Sequence, residues 1–189
     1  MGIKLGFAMC GSFCNFQRAI EAMERLAASG AEILPIMSQN AYETDTRFGR
    51  AADFRSRVRL ICGNEIISTI AAAEPIGPQN MCDLLCIAPC TGNTLAKLAL
   101  SITDTPVTMA AKSHLRSGKP VLIALSTNDG LAGSMKHLAA LMSTKNYYFT
   151  PMRQDDPAAK PSSLVADYDM LENAISAALQ NRQLRPVFE

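Results

Sequence analysis

Four short runs in this chain, Ile3–Met9, Ile33–Met37, Asp83–Ala88 and Val121–Leu125, are apolar at nearly every position rather than at every second one. A strand of that kind has no wet face, so both sides must be covered; that is the habit of parallel strands, whose crossover connections lay helices over the sheet. Segments of helical period stand between the runs, roughly Asn15–Ser29, Glu65–Ala73, Thr91–Ile102, Pro106–Ser117, Leu131–Ser143 and Asp167–Leu179. Gly30 and Gly118 follow two of them as stops, and Pro106 suits a first helical turn. Strand and helix in alternation predict an α/β fold: a three-layer, Rossmann-like (flavodoxin-like) parallel sheet with helices on both faces.

Two segments do not join this rhythm. Gln39–Arg59 has neither a clear period nor strong hydrophobicity and carries Arg47, Arg50, Arg55, Arg57 and Arg59; it is expected to find no place in a monomeric core. Pro151–Pro161 reads as a linker rich in Pro and Asp, after a short fifth strand at Tyr147–Phe149. The 189 residues are expected to form one domain.

Charge and composition exclude several functions. Eighteen basic residues against 17 acidic ones leave a net charge of +1, which provides no global field for nucleic acid or anionic membrane. No apolar run approaches the ~18 residues of a membrane span, and Gly11, Ser12 and Asn15 interrupt any signal-peptide core, so a soluble, cytoplasmic protein is expected. The cysteines, as Cys10/Cys14 and Cys82/Cys86/Cys90, match no zinc or iron–sulfur spacing; they read as small core residues, and no metal site is expected. His114 and His137 assemble no triad and read as surface residues on helices.

In an open parallel sheet, ligands bind beyond the carboxyl ends of the strands, so the turns there are the candidates. The first, ending in Cys10-Gly11-Ser12, lacks the lysine of a P-loop and the spacing of a dinucleotide fingerprint; it serves equally as a tight turn or as a cradle for one phosphate. The third, Pro89-Cys90-Thr91-Gly92-Asn93-Thr94, offers hydroxyls and N–H groups to a phosphate or ring edge, or simple helix capping. The fourth, Ser126-Thr127-Asn128-Asp129-Gly130, is polar and serves equally as a helix cap, and Ser38 after the second strand is weaker still. Arg47–Arg59 is either a solvated helix face or a carboxylate site, because guanidinium grips carboxylate through two parallel bonds.

The turn from Pro89 to Leu98 resembles the P-A-S-A-N-T motif of homo-oligomeric, flavin-containing cysteine decarboxylase-type flavoproteins, and Gly11-Ser12 fits the same family. Within it, D-T-R-F-G (Asp45–Gly49), A-E-P-I-G-P (Ala73–Pro78), Pro89–Lys97 and Gln154–Pro157 are similar to the dipicolinate synthase B-subunit branch of spore-forming bacteria. The resemblance extends over nearly the whole chain. It implies FMN as cofactor, with Gly11, Ser12, Ser38, Thr91, Asn93, Thr94 and Asn128 on the cofactor side. It further implies oxidation of a dihydrodipicolinate-level precursor to pyridine-2,6-dicarboxylate during sporulation, in the mother cell. The partner would be the dipicolinate synthase A-subunit, bringing NADP, and the chain itself would assemble as trimers or multiples of them. Arg47, Arg50 and Arg55 are then the candidates for the substrate's carboxylates, and no general base is named. One departure bears on the reaction: of the family's P-x-M-N-x-x-M-W segment after the fourth strand only Asn128 is kept, and the chain has no Trp. The alternatives are an FMN-dependent decarboxylase of the same family and a non-catalytic subunit that stabilises or regulates its partner.

Overall fold

A computed structural model describes residues 2–189. Strands β1 (Lys4–Met9), β2 (Glu32–Met37), β3 (Leu84–Cys90), β4 (Val121–Thr127) and β5 (Tyr147–Phe149) run parallel in the order β2-β1-β3-β4-β5. Their side chains alternate between two cores, as the absence of a polar face requires. Leu5, Phe7 and Met9 of β1, with Leu84, Cys86 and Ala88 of β3, enter one core. Ala8 of β1 and Cys10 just after it, with Leu85, Ile87 and Cys90 of β3, enter the other. Helices α1 (Phe16–Ala28), α3 (Ala51–Cys62) and α8 (Leu171–Leu179) cover the first core. The second lies under α4 (Ile70–Ala73), α5 (Gly92–Ala99), α6 (Pro106–Arg116) and α7 (Met135–Met142). The three-layer flavodoxin-like architecture is therefore as expected. No helix among the described residues is long and apolar enough to cross a membrane.

Local chemistry explains the helix boundaries. Thr105 and Thr108 form a reciprocal capping box with Pro106 in the first turn of α6. Gly63 ends α3 in the left-handed region at φ +63°, where a side chain would be strained.

The structure departs from the sequence reading in four places. Gln39–Arg59 is largely helical, as α2 (Gln39–Glu43) and most of α3, and it does have a place in the core. Ala41, Ala51 and Val58 are buried, and the Phe54 ring meets Phe16 edge-on at 5.1 Å, a geometry worth ~0.5–1.5 kcal/mol beyond its buried area. Residues 65–69 are not helical; Ile67 bridges Ile36 alongside β2, and only Ile70–Ala73 turns, followed by a 3-10 turn at Glu74–Ile76. The Pro151–Pro161 linker contains a short strand, β6 (Met152–Arg153), that pairs antiparallel with β7 (Leu164–Ala166) just beyond it. Finally, His114 is buried, at 1% exposure. Its Nε2 lies 3.1 Å from the Pro120 carbonyl and its Nδ1 3.5 Å from the Cys82 thiol. Burial, with the charge of Lys119, pushes its pKa down to about 4, against the opposing pull of the Pro120 carbonyl.

β7 is the element that matters for function. β5 pairs with the first half of β4, through Val121–Ile123. β7 takes the second half, pairing Ser126 with Val165 and Thr127 with Leu164. The outer edge of β4 is thus closed to its carboxyl end, and the loop between β6 and β7 is carried over that end of the sheet.

Candidate functional site

The chain leaves β1 toward β2 on one side and returns to β3 on the other, so the switch point of strand order lies between β1 and β3. The end of β1 is tied to that of β3 by a hydrogen bond from the Cys10 N–H to the Pro89 carbonyl at 3.0 Å. Beyond these ends opens a cavity of about 610 Å³, within the range of sites for whole cofactors or ligands.

Four groups of residues build its wall. Gly11 and Ser12 enter from the β1 turn, Thr91 from the β3 turn, and Ser126, Thr127 and Asn128 from the end of β4. Phe13, Cys14, Asn15 and Arg18 come from the start of α1 and the 3-10 turn before it. Arg47 and Phe48 reach in from the loop before α3; Asp155, Lys160, Ser163, Leu164 and Val165 close the far side from β7 and its loop. The Phe16–Phe54 contact fixes α3 on α1 and so holds the Arg47 loop beside the cavity.

Of the residues singled out in the sequence, Gly11, Ser12, Thr91, Asn128 and Arg47 therefore meet in one cavity. The others lie elsewhere. Ser38 is buried and caps α2, accepting from the Ala41 N–H at 3.3 Å. Thr94 is buried behind Thr91, whose hydroxyl donates to it at 3.1 Å and accepts from its N–H at 3.2 Å. Asn93 is exposed on α5, outside the lining. Arg50 forms a two-pronged pair with Asp53 at 3.0 and 3.1 Å. Arg55 stacks on the Tyr42 ring, 4.7 Å from its centroid, and donates to the Tyr42 carbonyl. Arg18, Asp155, Lys160 and Ser163 are site residues that the sequence alone does not reveal.

Three features define the chemistry of the cavity. First, Gly11 is not required by the fold: an added Cβ would meet the Phe13 ring at 3.5 Å, an ordinary contact, so what this glycine provides is room. Second, Ser126 lines the cavity and is itself 4% exposed; its hydroxyl lies against the buried Tyr168 hydroxyl, and neither makes a well-formed hydrogen bond within the protein. A buried hydroxyl left unpaired costs about 1–3 kcal/mol, which a ligand atom can relieve. Third, three cations, Arg18, Arg47 and Lys160, face one carboxylate, Asp155. Lys160 donates to Asp155 at 2.8 Å, and this bond holds the Asp155 carboxyl below its usual pKa.

Two further networks set the background. Thr127 and Ser134 donate to Asp129 at 2.6 and 2.8 Å, lowering its pKa and fixing the turn after β4. Burial pushes the Cys10 thiol up to about 11 and that of Cys90 well above its ordinary value, so these cysteines are neutral packing groups.

A polar, cationic cavity at the switch point of a flavodoxin-like sheet invites comparison with known proteins. Residues 1–170 match the family model described as Flavoprotein. The B-subunit of dipicolinate synthase from Bacillus subtilis is 43% identical over 98% of this chain and 93% of its own length. The crystal structure of the corresponding B-subunit from Bacillus halodurans superposes with a TM-score of 0.91 at 41% identity, covering 100% of this chain and 96% of that one. The FMN-dependent cysteine decarboxylase SpaF shares the fold at a TM-score of 0.70, with 22% identity over 95% of this chain and 97% of its own. A family match over nine-tenths of the residues and a relative alike from end to end leave one conclusion: this chain belongs to the flavoprotein family, as a homologue of the dipicolinate synthase B-subunit.

Proposed function

We propose that this chain is the FMN-binding component of a two-subunit dipicolinate synthase, and that it presents a dihydrodipicolinate-level precursor for oxidation to pyridine-2,6-dicarboxylate. The observation that carries the reading is the roomy, cationic cavity at the strand switch point, lined by the strand-end residues Gly11, Ser12, Thr91, Ser126 and Asn128. FMN suits this donor set: it has a dianionic phosphate for backbone and hydroxyl donors, a ring edge with polar atoms, and an aromatic face. Gly11, Ser12, Thr91, Ser126 and Asn128 are the residues that would hold it. Ser38 and Thr94 act behind them by keeping their turns in shape.

Oxidation of the precursor removes a hydride and a proton, and bound FMN supplies the hydride acceptor. The protein's part is to bind, orient and exclude water. Of Arg47, Arg50 and Arg55, Arg47 is the carboxylate ligand, because the other two are engaged elsewhere. NADP belongs with the A-subunit in this scheme, and decarboxylation of a thiol substrate is disfavoured by the altered turn after β4.

The test is direct. Protein purified from cells supplied with riboflavin should carry absorbance in the flavin bands. Co-expressed with the A-subunit, it should form dipicolinate faster when FMN is added to stripped enzyme. A colourless protein that takes up no FMN on titration, in a synthase running at full rate, would leave only the non-catalytic, stabilising role.

A further inference from the structure

Arginines are numerous on this side of the molecule, and their pairing separates them. Arg57 donates to Gln17 at 2.8 Å and to Glu24 at 3.0 Å, Arg59 to Glu65 at 2.9 Å, and Arg50 and Arg55 are engaged with Asp53 and Tyr42. None of these four lines the cavity. The two that do, Arg18 and Arg47, have no acidic partner among the described residues. Glu21, one turn on from Arg18, is taken by Gln17 at 2.6 Å, and the Arg47 guanidinium rests over the Phe48 ring at 4.9 Å. The third cation, Lys160, arrives on the β6–β7 loop and shares Asp155.

We propose that Arg18 and Lys160 complete, with Arg47, a clamp for two carboxylates on one small ring, so that this cavity selects a dicarboxylate over the corresponding monocarboxylate. The inference rests on the dicarboxylate reading above and adds the residues that read the second carboxylate. Charge supports it: three cations and one carboxylate line the cavity, and Arg18, which also borders a smaller cavity with Glu21, Asp167 and Asp169, forms an ion pair with none of these acids among the described residues. Geometry supports it too. The cations come from α1, from the loop before α3 and from the β6–β7 loop, so they approach from different sides of the cavity. Cations carried on three separate elements match two carboxylates held on one planar ring better than they match a single one. A phosphate monoester carries the same double charge, so the test must separate it from a dicarboxylate.

The probes are pyridine-2,6-dicarboxylate, pyridine-2-carboxylate, FMN and riboflavin, titrated calorimetrically at low salt into the full chain, alone and in complex with the A-subunit. Wild-type protein should bind the dicarboxylate at least about tenfold more tightly than the monocarboxylate, the difference that one charge-assisted contact makes. Arg18→Gln and Lys160→Gln should each weaken the dicarboxylate about tenfold, and the double variant should abolish the preference. Arg50→Gln should change nothing. Arg18 and Lys160 are exposed, so thermal melts of the variants should match wild type. No preference in the wild type, or variants that retain it, overturns the clamp. Variants that weaken FMN but neither riboflavin nor the dicarboxylate overturn it equally, by assigning the cations to the cofactor's phosphate. Loss of all flavin binding with the dicarboxylate preference intact would sink the flavin reading and leave the clamp standing.

Discussion

Gly92→Ala tests whether the turn after β4 belongs to the ligand site. Gly92 opens α5 with no positive φ, so its requirement is for space rather than for backbone freedom. A Cβ there would lie 2.6 Å from Ser134 Oγ, 2.6 Å from Thr127 Oγ1 and 2.9 Å from Asp129 Oδ1. These are the three atoms of one hydrogen-bonded node, in which Thr127 and Ser134 donate to Asp129. Forcing them apart costs ~1–3 kcal/mol as overpacking, and weakening a half-exposed hydrogen bond adds ~1. The gain in helix propensity returns up to ~1, so the net loss is about 1–3 kcal/mol. For a chain of this length that is a fall of about 2–12 °C in Tm. Because Thr127 lines the cavity, affinity for FMN should fall as well. Gly77→Ala is the control: its Cβ would sit 1.9 Å from the Ser113 carbonyl oxygen, between the Glu74–Ile76 turn and α6. It should lower Tm at least as much while leaving the affinity of the folded fraction unchanged. Circular dichroism melts and flavin fluorescence titration read the two effects separately. If Gly92→Ala lowers Tm and binds FMN like wild type, the β4 turn is no part of the site.

Two further outcomes follow from other parts of the fold. His114 has a folded pKa of about 4 against an ordinary value of 6.5, so between these values the unfolded state binds more protons. Its contribution to stability is complete above pH 6.5 and is lost as pH falls toward 4; between pH 7 and pH 5 the loss is about 2 kcal/mol. Urea melts of His114→Gln should show a flatter dependence over that range, and an unchanged slope would exclude the residue as its source. Phe48, in the Gln39–Arg59 segment, is 46% exposed and Leu60, just after it, 86% exposed, and apolar side chains left this open suit a subunit interface. Light scattering should give a mass of three chains or a multiple, reduced by Leu60→Lys; a wild-type monomer at micromolar concentration would refute the assembly.

What can be read from the sequence follows physical rules. β1 to β4 are legible because burial on both faces makes a strand apolar throughout, and helices of clear period have to lie between them. β6 and β7 are two and three residues long, too short for any period to show. α3 is hidden because its inward residues, Ala51, Phe54, Val58, Ile61 and Cys62, are interleaved with Arg55, Arg57 and Arg59. His114 looks like a surface residue because nothing nearby in sequence announces its partners. The Pro120 carbonyl and the Cys82 thiol meet it only once α6 packs against the sheet.

The site divides along the same line. Gly11, Ser12, Thr91 and Asn128 can be found because the topology of a parallel sheet puts strand ends at the ligand, and strand ends are local in sequence. Arg18, Asp155 and Lys160 cannot, since their approach depends on two long-range events: the docking of α1 beneath the cavity and the pairing of β7 with the second half of β4. Within the arginine-rich segment, density in sequence points to Arg47, Arg50 and Arg55 alike, but availability depends on whether an acid or carbonyl already holds the guanidinium. Asp53, three residues from Arg50 and one turn away on a helix, is a visible reason to discount that arginine. Tyr42 as the partner of Arg55 is not, because α2 and α3 have first to fold against each other. A cluster of like charges in a sequence therefore identifies a region. Which member faces a ligand is decided by the partners that the fold brings to the rest.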